Sequence, residues 1–353
     1  MRDSLSYDDV LLVPQYSTIR SRADVNTAVD LGKGFKLSLP LLSSPMDTIT
    51  EAPMAVAMAN AGGGAVIHRY NSIDEQSQKI RTAVAIATRA RIHENPSNEE
   101  APPIGAAIGV YGDYIERAIA AKEAGATFLC IDVAHGHHIL MKDALGMLKH
   151  TLGEGLHLMA GNVATLKGVN HLSDWGADSV RCNIGGGSIC STRVQTGHGV
   201  PGLQTIMDCA QTDRNVKIIA DGGIKNSGDL VKALAAGADA VMCGSLLAGT
   251  DETPGKILED SQGFRWKVYR GMASKEAQIE WRGRYASDEG VSSQVPYRGS
   301  VKKILEDLET GIRSGFSYSG AHTLRELHAH ARFIRQTSSG IKESDTHITT
   351  RKW

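Results

Sequence analysis

Cysteine is scarce in this chain, and its spacing shows no pairing pattern. Five cysteines, at 130, 182, 190, 209 and 243, make an odd number with no Cys-x-x-Cys motif. That excludes a disulfide framework and a zinc ribbon, and it points to a reducing compartment. Aromatic residues make up only 5%, which argues against an aromatic-rich β-sandwich. Excess charge of either sign is absent: 38 Lys and Arg face 39 Asp and Glu, for a net charge of −1. Neither nucleic acid nor an anionic membrane surface is therefore expected as the main partner. No apolar run approaches the ~18 residues of a membrane span. The opening stretch MRDSLSYDDVLLVPQYS lacks the apolar centre of a signal peptide. A cytoplasmic protein is the expectation.

Glycine, by contrast, is plentiful, at 38 residues, as in a chain with many tight turns between short elements. Residues 1–39 look irregular. Eight short apolar runs then follow: Leu39–Ser43, Ala65–His68, Ile104–Gly109, Thr127–Asp132, Leu156–Ala160, Asp178–Cys182, Val216–Asp221 and Asp239–Cys243. They show little alternation, as expected of parallel strands covered on both faces. Helical patterns occupy Glu51–Ala61, Asp113–Ala124 and Ser227–Ala236, and return at Val301–Ser314 and Thr323–Ile334. Three helix exits repeat, AlaGlyAla at 124–126, TrpGlyAla at 175–177 and AlaGlyAla at 236–238, each running into a strand. Glycine there fits a left-handed cap before a tight turn. Eight strand–helix alternations predict a (β/α)8 barrel, an α/β fold. An open doubly wound sheet is the runner-up, weakened by the lack of a GxGxxG fingerprint.

A barrel places chemistry just past the C-terminal strand ends. Those ends carry Ser44 to Asp47, His68 and Arg69, Asp132 to His135, Gly161 and Asn162, the Gly185–Arg193 loop, Asp221 to Gly223, and Gly244 and Ser245. A ring of glycines and short polar groups suits a phosphorylated ligand. On its own, GGGSIC reads as a flexible loop with a structural thiol; in this register Cys190 becomes a candidate nucleophile. Cys130, Cys182, Cys209 and Cys243 read as structural thiols. His135, His137 and His138 lack the partner acids of a metal site. The rhythm breaks at Leu247–Lys256 and Arg265–Pro296, which read as an excursion without regular structure over the barrel mouth, a lid.

Several motifs together carry a family resemblance: YDDVLLVPQYS (7–17), SSPMDTITEAPMA (43–55), DVAHGH (132–137), AGNVAT (160–165), GGGSICSTR (185–193), IIADGGIKNSGD (218–229), GSLLAGTDETPG (244–255), YRGMAS (269–274) and VPYRGSV (295–301). The chain resembles the IMP dehydrogenase/GMP reductase family almost end to end. The resemblance implies a single barrel domain over residues 1–353, usually a homotetramer, with a flap at 265–296 after strand eight. A polar linker at 93–103 stands where most dehydrogenases insert a pair of CBS modules.

It also implies that Cys190 attacks C2 of a purine nucleotide and that a nicotinamide cofactor exchanges hydride there. Thr192, Arg284, Tyr285 and Glu289 fall at catalytic positions. Ser44, Met46, Ser188, Asp221, Gly223, Gly244, Ser245, Tyr269, Met272, Ala273 and Glu289 fall on the substrate. Asp132, Ala134, His135, Asn162 and Arg193 fall on the cofactor side, and the carbonyls of Gly185, Gly187 and Cys190 at a potassium site. The implied activity is NAD-dependent oxidation of IMP to XMP in GMP biosynthesis. The alternative is NADPH-dependent GMP reductase, and a reading of another class is an inactive purine-nucleotide sensor. SSPMDTITEA, Ser245, the Arg284-Tyr285 pair and SSGIKES (338–344) favour the dehydrogenase; the missing CBS pair, the short flap and ASDEG favour the reductase. The chain departs from the family at Gly186, where a proline is usual, and at Arg181-Cys182-Asn183, where Lys-Val-Gly is usual. His198 and Gly202 depart as well.

Overall fold

The computed structural model describes residues 3–97, 100–284 and 289–344. Eight parallel strands close into a barrel: β1 (Leu41–Ser43), β2 (Gly64–Ile67), β3 (Ile104–Ile108), β4 (Phe128–Asp132), β5 (His157–Val163), β6 (Ser179–Cys182), β7 (Lys217–Asp221) and β8 (Ala240–Cys243). Each pairs with its neighbours in sequence, and β8 returns to β1 through Cys243 opposite Ser43. Every expected apolar run is a barrel strand, and nearly all their side chains are buried, because helices cover the outer face. The helices are α1 (Ala52–Asn60), α2 (Ile73–Glu94), α3 (Tyr114–Glu123), α4 (Ile139–Leu152), α5 (Leu166–Asp174), α6 (Gly202–Cys209), α7 (Ser227–Ala235) and α8 (Val301–Tyr318). The three repeated exits are left-handed at Gly125, Gly176 and Gly237, with φ of 97°, 112° and 112°.

The structure adds elements that local pattern did not give. The α2 helix is 22 residues long and opens on a capping box, Ser72 with Glu75. Within residues 29–37 a hairpin pairs Val29 with Leu37. Its Phe35 stacks on Phe128 at 4.1 Å, and this seals the N-terminal end of the barrel. The expected helix over Thr323–Ile334 is shorter: it runs Leu324–His330, and Phe333–Arg335 instead forms a strand antiparallel to Val10–Leu12. Residues 265–296 are not without regular structure. Leu258–Glu259, Arg265–Arg270 and Ser292–Pro296 form a small antiparallel sheet, with a helix over Lys275–Arg282. That sheet is fastened by the buried Lys267, whose Nζ donates to the carbonyls of Thr250 (2.9 Å) and Thr253 (2.5 Å). Among the described residues no helix is long and apolar enough to cross a membrane.

Candidate active site

A cavity of about 480 Å³ opens at the C-terminal strand ends beneath the excursion. Cys190 is the one half-exposed cysteine of the five; the other four are buried. Burial pushes the thiols of Cys130 and Cys243 up to about 12, so they stay protonated and inert. The Cys190 backbone N–H donates to Gly187 O at 3.1 Å in a tight turn. Its thiol donates to Thr192 Oγ1 at 3.1 Å. The returning limb of the flap is stitched to this loop: Ser191 N–H donates to Glu289 O (3.1 Å) and Val291 N–H to Ile189 O (3.0 Å). Those bonds bring Glu289 to the cavity wall beside Cys190 and Thr192.

The opposite corner holds Ser188, Ser245 and Tyr269 with the backbones of Gly223 and Gly244. Tyr269 OH lies 3.4 Å from Ser188 Oγ. Burial raises the tyrosine above its usual value, while bonds to Ser188 and Ser245 pull the other way. The charge of Asp221 acts in the same direction as burial, so Tyr269 remains a neutral donor. Asp221 ends β7, and its Oδ2 accepts from Asn162 Nδ2 (2.7 Å) and from Arg181 Nε and Nη2 (3.1 and 2.7 Å). Asn162 reaches it because the β5–β6 register shifts between Gly161 and Val163, and such bulges re-aim side chains.

Ser44 and Met46 line the β1 side, and Asp132 and Ala134 the β4 side. Met272 and Ala273 line the roof, where both carbonyls are taken: Tyr70 OH donates to Met272 O (2.7 Å) and Gln278 Nε2 to Ala273 O (2.8 Å). Tyr70 also stacks on Trp281 at 4.2 Å. Gly185 and Gly187 are on the wall with Cys190, and the Gly187 carbonyl keeps a second lone pair beyond its bond to Cys190. Among the described residues no cluster of His, Cys, Asp or Glu is arranged to hold a metal, so a cation here would rest on carbonyls. Hard oxygen donors of that kind suit a monovalent ion.

Three residues expected in the site lie off the cavity wall. Arg193 clamps its own loop from outside, donating to Val200 O (2.7 Å) and Ile184 O (3.4 Å). His135 is exposed, and so is Arg284. Tyr285 falls outside the described residues. His68 is buried with Nε2 3.1 Å from Glu51 Oε1, while His137 Nε2 pairs with His171 Nδ1 at 2.9 Å.

Arg181 is the residue whose role in the site was missed. Its side chain is only 7% exposed and bridges Asp132 (2.6 Å) and Asp221 (2.7 Å). Burial pulls its pKa down, but the charges of Asp221 and Asp132 outweigh it and hold the guanidinium charged. Glycine at 161 makes the room, since a Cβ there would fall 2.6 Å from Arg181 Cβ. The signal was available in the sequence: a charge inside an apolar strand, with aspartate at the end of the next strand, β7, and of β4 two strands away.

Comparison with known proteins gives the family and the fold. A family model described as the IMP dehydrogenase / GMP reductase domain matches residues 4–347. The inosine-5'-monophosphate dehydrogenase of Nitrosopumilus maritimus is 34% identical over 470 aligned positions, covering 98% of each chain. The protein of the same name from Borreliella burgdorferi is 36% identical over 395 positions, covering 98% of this chain and 97% of its own. The GMP reductase of Leishmania major is 32% identical, with 98% and 97% covered. A cysteine-to-alanine variant of GMP reductase from Trypanosoma brucei, solved with guanosine 5'-monophosphate, superposes with a TM-score of 0.91 at 31% identity over 99% of both chains.

Proposed function

The chain belongs to the IMP dehydrogenase/GMP reductase family, and from that premise we propose that it oxidises IMP to XMP with NAD through a covalent bond to Cys190. The carrying observation is the half-exposed Cys190 thiol, 3.1 Å from Thr192 Oγ1, on the wall of a cavity that Asp221 and Ser188 share. The neutral corner of Ser188, Gly223, Gly244, Ser245 and Tyr269 takes the 5'-phosphate by hydroxyl and amide donors. Asp221 takes the ribose hydroxyls with the lone pairs that Asn162 and Arg181 leave free. Met272 and Ala273 meet the base through backbone groups, with Tyr70 and Gln278 holding their carbonyls in place.

The Cys190 sulfur adds to purine C2 and makes it tetrahedral. Asp132, Ala134 and Asn162 would hold the nicotinamide cofactor, which would supply the acceptor for the hydrogen that leaves C2 with its electron pair. The base is then a thioimidate on Cys190. Water adds at C2, the carbon–sulfur bond breaks, and XMP leaves with the thiol restored. Arg284 and Tyr285 on the flap activate that water, and Thr192 relays its proton. The carbonyls of Gly185, Gly187 and Cys190 would hold potassium, which would steady the loop. The Borreliella relative bears the dehydrogenase name and aligns over only 395 positions, so a chain without a long insertion accords with this activity.

One observation favours the second reading, GMP reductase. Glu289 and Thr192 stand on the cavity wall with Cys190, while Arg284 is exposed off it. In that direction Cys190 adds to C2 of GMP, and Glu289 with Thr192 protonates the 2-amino group, which departs as ammonia. NADPH would supply the hydride that C2 takes up, and the Cys190 sulfur leaves to give IMP. Absorbance at the reduced-nicotinamide band separates the two. A rise with IMP and NAD supports the proposal; a fall with GMP and NADPH, and none of that rise, replaces it with the reductase. Silence in both mixtures supports a nucleotide sensor. A cytoplasmic homotetramer completes the proposal, and light scattering of the purified chain tests the tetramer.

A further inference from the structure

Asn183 occupies a backbone conformation that suits glycine. Its φ is +147°, where a Cβ is strained. The side chain is nevertheless buried, at 4% exposure, and a buried polar side chain in a strained position needs a compensating use. Its Nδ2 donates to Gly222 O at 3.2 Å, whereas its Oδ1 is buried without a partner. The carboxamide lies directly against Gly186: a Cβ built there would fall 2.1 Å from Nδ2 and 2.8 Å from Oδ1. The Gly222–Gly223 turn backs onto the same loop. A Cβ on Gly222 would fall 3.3 Å from Gly187 N, and one on Gly223 would fall 3.3 Å from Gly186 O. The Asn183 main chain is tied in as well, its carbonyl accepting from Asn162 Nδ2 at 3.1 Å.

We propose that Asn183 is a positioning residue whose carboxamide sets the spacing between the nucleophile loop and the Gly222–Gly223 turn. Position 186 is glycine because that amide fills its room. The two departures at 183 and 186 are then a single exchange: a side chain under the loop in place of a ring within it. The inference rests on the reading of Cys190 as nucleophile and Gly223 as part of the phosphate corner. Asn183 borders the cavity, while its amide contacts are to the Gly222 carbonyl and the Gly186 backbone, so its effect passes through loop geometry.

A double-mutant cycle tests it, with wild type, Asn183→Gly, Gly186→Ala and the double variant. Thermal melting without nucleotide reads the wedge. Gly186→Ala lowers the melting temperature in the wild-type background and has little effect beside Asn183→Gly, where the room is open. Additive shifts overturn the inference. Protection of Cys190 from alkylation by IMP and by GMP reads the positioning role. Asn183→Gly raises the half-protecting concentration roughly two- to tenfold, the scale of one lost hydrogen bond, with a melting temperature at or above wild type because glycine relieves the backbone. An unchanged half-protecting concentration overturns the role and leaves Asn183 a filler. If neither nucleotide protects wild-type Cys190, the Cys190 reading itself falls and the positioning role with it, even where melting shows the coupling. Should Gly186→Ala fail to fold, Asn183→Gly alone still decides through the protection assay.

Discussion

Replacing Arg181 with leucine removes a guanidinium that holds two carboxylates and keeps most of the apolar stem. Asp132 and Asp221 side chains are 20% and 13% exposed, so both lose their counter-charge in a partly dry setting. Removing one partner of a buried pair costs about 3–5 kcal/mol; the residual exposure of the two acids places this case near ~3 kcal/mol. Unfolding entropy of ~2.1 cal/mol/K per residue over 353 residues makes each kcal/mol worth ~1.3 °C, so the melting temperature falls by about 4 °C. Scanning calorimetry at neutral pH reads it. Adding Asp221→Asn to Arg181→Leu removes one stranded charge and recovers part of the loss. Arg181→Lys falls in between, because a single ammonium cannot address two carboxylates as a planar fork does. Melting of Arg181→Leu within about 1 °C of wild type would refute the argument that Arg181 neutralises two partly buried carboxylates.

Tyr70→Phe removes the donor to Met272 O and keeps the stack on Trp281; losing one bond of about 0.5–1.5 kcal/mol raises the nucleotide KM roughly two- to tenfold, and steady-state kinetics with an unchanged KM would sink it. His157 is buried against Phe35 and Ser179, and burial pushes it down to about 4. Its unfolded form takes a proton near pH 6.5 and its folded form does not, so stability is full above pH 6.5 and declines as pH falls toward 4, by about 3 kcal/mol. Denaturant titrations across that range show the decline in wild type, and His157→Gln flattens it; an equal slope in both would contradict the assignment.

Much of this architecture was legible because it is local. A buried parallel strand must be apolar on both faces, and eight such runs stand out from the helices between them. Left-handed exits need glycine, and the three at 125, 176 and 237 announced themselves. The misses were of other kinds. The strand at Phe333–Arg335 exists through pairing with Val10–Leu12, a partner more than 300 residues away, and its own pattern passes for helix. The α2 helix carried a readable start at Ser72 and Glu75 that went unused. The Asn183 amide was noticed as a departure, and only its distance to Gly186 gives that departure a physical meaning.

The central claim is a bond between the Cys190 sulfur and purine C2. Acid-quenched mass spectrometry during turnover tests it most directly. The account predicts nucleotide mass on the peptide that contains Cys190, lost in Cys190→Ala together with turnover while nucleotide binding remains. Turnover with that peptide unmodified, or surviving in Cys190→Ala, would contradict it.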